Sequence, residues 1–338
     1  MNLSVPKVTK GHKIRVAAGL TAAMMLIAQS GFAFTVTIDK GIPVYKASQG
    51  VSGTLKSIGS DTMNNELALW SEGFKKSHPG VKIEVEGKGS STAPVALIEG
   101  TAQLGPMSRM MKGEEIAKFK AKFGYEPTAV RTSLDVLAVF VHRDNPLKGL
   151  SLAQVDSLFS KTLKAGGKEI KTWGDLGLKG EWADKPVRLY GRNSASGTYG
   201  YFKENALKGG DFKDTVKEQP GSSAVVQAVA DDKFGVGYSG IGYATPGVRA
   251  VPLAKEGTNF IVANPEAAYD GSYPLARFLV LYINKSPTAA LDPLRQEFLL
   301  YVLSQEGQEG VVKNGYIPLT AELVAAERKK LTGASVVQ

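Results

Sequence analysis

Residues 191–198, GRNSASGT, set a single arginine ahead of a run of hydroxyls and glycines. The stretch before them, VRLYGR, reads as a strand, and a helix follows. A helix N-terminus carries unpartnered backbone N–H groups and the positive end of the helix dipole, so it attracts anions. Arg192 adds a charged, two-pronged donor. A nucleophilic serine, a tight turn and an anion cradle all fit these residue types.

The same design recurs at GSDT (59–62) and GKGSST (87–92), and GPMSR (105–109) follows a strand in a similar way. Taken singly, each turn is accounted for by helix capping, because Ser, Thr and Asp are favoured N-caps. Four such turns on units that face each other across a cleft would instead surround an oxyanion with mostly neutral donors. Other chemistries lack their parts. The three histidines, His12, His78 and His142, are far apart and show no zinc-ligand spacing. His78, beside Pro79 at a helix end, is expected to cap or be solvated. GYSGI has Ile241 where a nucleophile elbow needs its second glycine, and no phosphate-binding P-loop motif is present. No catalytic residue, metal site or cofactor is therefore expected.

The elements needed to hold these turns are those of an α/β protein. Short apolar runs alternate with amphipathic stretches: TLKSIGSD, VKIEVEG, AQLGPMSR, DVLAVFVHRDNP, VRLYGR, GVGYSG, RAVPLA and YPLARFLVLYINK as strands, with helices between them. LRQEFLLYVLSQEGQEGVVKNG (294–315) reads as one long C-terminal helix. A strong strand leaves one unit near residue 140 and another returns near 250. This places an inner lobe at 142–246 inside an outer lobe split into 51–141 and 247–338.

Lys7, Lys10, Lys13 and Arg15 precede the apolar run VAAGLTAAMMLIA, and small residues Gly31 and Ala33 stand before Phe34. That is the pattern of a cleavable export signal over 1–33, too short in its apolar part to span a bilayer. The chain has no cysteine, so neither disulfides nor a lipid-modified cysteine are available. The formal charge is +9, and four of the bases lie in 1–33, so the excess beyond the signal falls to five. A modest positive excess suits an anionic ligand. No basic block with interleaved aromatics is seen, and nucleic acid is not an expected partner.

The export signal, GSDT, GSS, the turn after AQLG, and above all R-x-x-x-S-G-T at Arg192, Ser196, Gly197 and Thr198 resemble the periplasmic phosphate-binding proteins of ABC transporters. The resemblance runs through essentially the whole chain beyond the signal. It implies a two-lobed type II periplasmic-binding fold, mixed sheets flanked by helices, with inorganic phosphate held between lobes that close by a hinge. It implies a non-enzymatic, monomeric periplasmic carrier that delivers phosphate to a membrane permease. By motif, Ser60, Asp61 and Thr62 form the first anion turn, Ser90 and Ser91 the second, and Arg192, Ser196, Gly197 and Thr198 the clamp. In the third turn Ser108, followed by Arg109, stands where many members have aspartate. Asp61 is then the candidate acceptor for a phosphate proton, and Arg109 a candidate second cation. Another tetrahedral oxyanion (sulfate, molybdate or tungstate) is the alternative ligand, and a secreted phosphate-ester hydrolase or adhesin the alternative class.

Overall fold

A computed structural model of the chain describes residues 36–332, so the expected export signal lies outside the described residues. The first part comprises β1 (Gly53–Ile58), α1 (Asn64–Ser77), β2 (Val81–Glu86), α2 (Thr92–Glu99), β3 (Gly105–Met107), α3 (Gly113–Phe123) and β4 (Thr128–His142). Then come β5 (Leu150–Ser151), α4 (Leu152–Phe159), β6 (Arg188–Arg192), α5 (Gly197–Ala206), β7 (Lys217–Gln219), α6 (Ser222–Ala230) and β8 (Gly235–Gly240). The chain continues through β9 (Val248–Ala250), β10 (Leu253–Ala254), α7 (Pro265–Tyr269) and β11 (Ala276–Ile283). It finishes with α8 (Pro293–Val302), α9 (Gln305–Lys313) and α10 (Ala321–Thr332).

β4 organises this mixed α/β fold. Its first half pairs antiparallel with β11, from Thr128 opposite Ile283 to Val136 opposite Ala276. At Leu137 it changes partner and pairs with β8, Leu137 opposite Gly240, while β9 lies along its end. The sheet order is β3-β11-β4-β8-β6-β7, and β1 and β2 form a separate parallel pair. Val136 through Val141 are all buried, which is why this stretch reads as a continuous apolar run rather than an alternating one. The expected strand began at Asp135. It starts seven residues earlier, over polar residues whose backbone is paired with β11.

The architecture is two-lobed, with β4 common to both lobes. β9 pairs with the far end of β4 and β10 with β5, and β11 then returns along the first half of β4. The long C-terminal helix expected over 294–315 is divided. Ser304 leaves the helix with φ −114° and ψ 173° and its hydroxyl accepts from Gly307 N, capping α9 and ending α8.

Packing fixes the two helices that matter for the site. Leu67, Trp70 and Phe74 recur at helical spacing and are buried on one face of α1. Trp70 Nε1 donates to the Gly307 carbonyl at 2.8 Å, locking α1 onto α9. On α5, Phe202 stacks on Tyr238 of β8 with centroids 3.9 Å apart. His78 is the C-cap of α1, its backbone N–H donating to the Phe74 carbonyl, but it is buried rather than solvated and shares a hydrogen bond with the Tyr45 hydroxyl, which donates to Glu297 at 2.7 Å. Removed from water and from the other histidines, it plays a packing role in the first lobe.

Candidate anion-binding site

The C-terminal ends of β1, β2, β3, β6 and β7 each run into a small polar turn, the usual position of ligands in α/β sheets. The first three turns are knitted to one another. Ser60 N donates to the Pro106 carbonyl at 2.8 Å, and Gly89 N to the Gly59 carbonyl at 2.8 Å. Ser108 N donates to Ser90 Oγ at 3.0 Å, and Ser60 Oγ to Ser108 Oγ at 3.0 Å. Ser60, Thr62, Ser90 and Ser108 are all essentially inaccessible to solvent. Hydroxyls buried at this depth need partners, and here they partner one another.

The turn after β6 meets this cluster from the other lobe. Arg192 is 2% exposed; its Nη2 pairs with Asp61 Oδ1 and its Nη1 donates to Ser222 Oγ at 2.8 Å. Thr62 and Thr198 hydroxyls are 2.9 Å apart, and Ser91 N and Oγ both donate to the Ala195 carbonyl, at 3.2 and 3.1 Å. Ser196 caps α5 by accepting from Thr198 N and Tyr199 N. Gly197 is required by close approach: a Cβ there would lie 2.1 Å from Ser90 Oγ and 2.6 Å from Ser108 Oγ. Gly89, at φ +102°, occupies backbone space that favours glycine. Among the described residues the Nε of Arg192 is buried without a hydrogen-bond partner, so one charged donor remains for a ligand.

Tyrosines hold the frame. Tyr243 donates to the Asp61 carbonyl at 2.9 Å and Tyr316 to the Thr62 carbonyl at 3.0 Å. Burial pushes both phenols well above their ordinary pKa, so they remain protonated donors. Arg192 N donates to Tyr238 Oη at 3.2 Å, which sets the arginine backbone against the stacked Phe202–Tyr238 pair.

Ten of the eleven residues singled out from the sequence lie in these interlocked turns. Arg109 is the departure: its guanidinium forms a bidentate pair with Glu115 at 2.7 Å per bond and also donates to the Met110 carbonyl. Glu115, six residues on in the first turn of α3, captures it before it reaches the cluster. Three participants were not foreseen. Ser222 belongs to a second Gly-Ser-Ser, 221–223, whose likeness to Gly89-Ser90-Ser91 was the available signal. Its N–H donates to Asp61 Oδ2 at 2.8 Å. Asp135 and Arg277 are lone charges within apolar strands. They form a buried pair, Arg277 Nε and Nη2 lying 3.0 and 2.8 Å from Asp135 Oδ2.

A domain model described as a PBP superfamily domain matches residues 45–306. A phosphate-binding protein, PstS, of Pseudomonas aeruginosa is 54% identical over 318 residues, 94% of this chain and 96% of that one. The chain belongs to the PBP superfamily, in the family of phosphate-binding proteins. Among solved structures, a candidate phosphate ABC transporter substrate-binding protein of Clostridium perfringens, with bound phosphate, superposes with TM-score 0.68 at 26% identity. The match covers 79% of this chain and all of that one. An ABC-type phosphate transport receptor of Vibrio cholerae shares the fold at TM-score 0.61 and 21% identity, over 78% of this chain and all of that one. Members of this family are binding and transport proteins by name.

Proposed function

We propose that this chain is a phosphate carrier of an ABC transporter. It takes up inorganic phosphate between the Ser60–Thr62, Ser90–Ser91 and Ser108 turns of one lobe and the Arg192–Thr198 turn of the other. The observation that carries the reading is the buried Arg192, with its Nε left as an unpartnered donor among hydroxyls from both lobes. The α5 N-terminus contributes its dipole, and the hydroxyls supply neutral donors that turn from one another toward the anion when it binds.

Asp61 is the selectivity element of this reading. Its two oxygens accept from Arg192 and Ser222 N, and a carboxylate has lone pairs to spare for a further donor. Monohydrogen phosphate brings an O–H to that acceptor. Sulfate brings none and is repelled. The inner lobe runs from the middle of β4 through β10, and closure of the lobes about the β4 and β10–β11 connections traps the ligand. The carrier works outside the inner membrane as a monomer, without chemistry on the ligand, and delivers phosphate to a membrane permease.

Arg192→Ala tests the site directly. Equilibrium dialysis with labelled phosphate should show affinity falling by about a hundredfold or more, since charge-assisted bonds are the strongest available here. Unchanged affinity in a folded variant would place the ligand elsewhere.

A further inference from the structure

Arg277 stands on β11, outside every anion turn, yet it joins three of the structures that build the site. Its Nη1 donates to the Ser108 carbonyl at 2.7 Å, in the third turn. Its Nη2 donates to Thr198 Oγ1 at 2.9 Å, at the start of α5. Its guanidinium lies 5.1 Å from the ring of Tyr201, whose hydroxyl donates to the neighbouring Ala276 carbonyl at 2.8 Å. Asp135 holds the guanidinium in place through Oδ2, and its Oδ1 accepts from Ile241 N at 3.1 Å, just after β8.

We infer that Arg277 is a positioning residue of the binding site, latching α5 to the Ser108 turn and fixing Thr198 as a hydrogen-bond donor, so that it sets the rate of ligand release. The inference rests on the phosphate-carrier reading above. A threonine hydroxyl has one hydrogen and two lone pairs. Because Arg277 donates into one lone pair of Thr198, the hydroxyl hydrogen is turned away from Arg277, and Thr62 Oγ1, 2.9 Å away, and the ligand are the acceptors left for it. β11 belongs to the first lobe and α5 to the second, so the Thr198 and Tyr201 contacts exist in the closed arrangement and are given up when the lobes part. The contacts to Asp135 and the Ser108 carbonyl stay within the first lobe. The latch therefore acts on opening more than on encounter, and its loss should appear in the dissociation rate. A lysine keeps the charge beside Asp135 but cannot direct separate N–H groups at the Ser108 carbonyl, Asp135 and Thr198 at once.

The experiment compares the parent protein with Arg277→Lys and with the doubly neutral Asp135→Asn/Arg277→Gln, which leaves no unpaired buried charge. Phosphate association and dissociation rates are read by stopped-flow on cleft-labelled protein, beside thermal unfolding of the ligand-stripped forms. Dissociation should be about tenfold faster in at least one folded variant, with association within about twofold of the parent. Parent-like dissociation rates in every folded variant would overturn the latch. So would loss of thermal stability in both variants with release unchanged, since Arg277 would then serve folding alone. Failure of the parent itself to bind phosphate would instead remove the carrier reading.

Discussion

Asp61 and Arg192, 131 residues apart in the chain, form a buried ion pair that joins the turn after β1 to the turn after β6. In the proposed carrier the two groups belong to opposite lobes, and closure brings the pair together. Ser222 completes it, donating its N–H to Asp61 and accepting from Arg192 through its hydroxyl. A carboxylate and a guanidinium facing the same ligand give the site both an acceptor and a donor, which suits an anion that still carries a proton.

Asp61→Asn should therefore change selectivity more than capacity. The amide can still accept from Ser222 N, but it presents an N–H₂ where hydrogen phosphate needs an acceptor. We expect the ratio of phosphate to sulfate affinity to fall by about tenfold or more, measured by titration calorimetry with both anions. An unchanged ratio would mean that another group reads the proton.

Gly197→Ala adds a methyl that meets Ser90 and Ser108 across the lobes and is harmless when they are apart. Overpacking of this kind costs about 1–3 kcal/mol, which predicts roughly ten- to hundredfold weaker phosphate binding. Thermal unfolding of the ligand-stripped protein should change little. Solution scattering should show the variant remaining open at phosphate concentrations that close the parent.

Arg109→Ala should leave phosphate affinity within about twofold, because the guanidinium is occupied by Glu115. The lost pair is bidentate and mostly buried, so the variant should lose about 1–3 kcal/mol of stability while still binding phosphate. A large loss of affinity would show that Arg109 reaches the ligand in the bound state.

Glu66 gives a pH dependence. It is fully buried, and among the described residues it has no cationic partner. Burial chiefly, opposed by Ser133 and reinforced by the charge of Asp135, pushes its pKa up to about 8. The folded state thus binds a proton that the unfolded state releases between the ordinary value of 4.5 and about 8. Stability from this group is full below that window and is lost as pH rises through it, by a few kcal/mol in order of magnitude. Glu66→Gln should flatten this slope and raise the melting temperature relative to the parent near pH 8.5. Parallel pH–stability curves for the two proteins would contradict the assignment.

Local signals carried much of this structure. GRNSASGT, GSDT and GSST each set a strand end, a polar turn and a following helix within about a dozen residues, so their positions could be read directly, although only Ser196 makes a side-chain cap. Ser304 was a local signal too, but the apolar spacing of 294–315 continued through it and masked the cap. What escaped were relations between distant segments. Nothing near Arg109 in sequence distinguishes an arginine aimed at a ligand from one caught by Glu115. Arg277 and Asp135 are 142 residues apart, and each alone looks like an interruption of an apolar strand. The partners of RAVPLA were hidden for the same reason, because it looks like any short strand and its ladders to β4 and β5 are set by tertiary pairing.

Calorimetric titration of the ligand-stripped protein with phosphate and with sulfate tests the central claim most directly. The account predicts one phosphate bound per chain with a dissociation constant of about a micromolar or tighter, and sulfate at least about a hundredfold weaker. Absence of phosphate binding below the millimolar range, or a preference for sulfate, would contradict it.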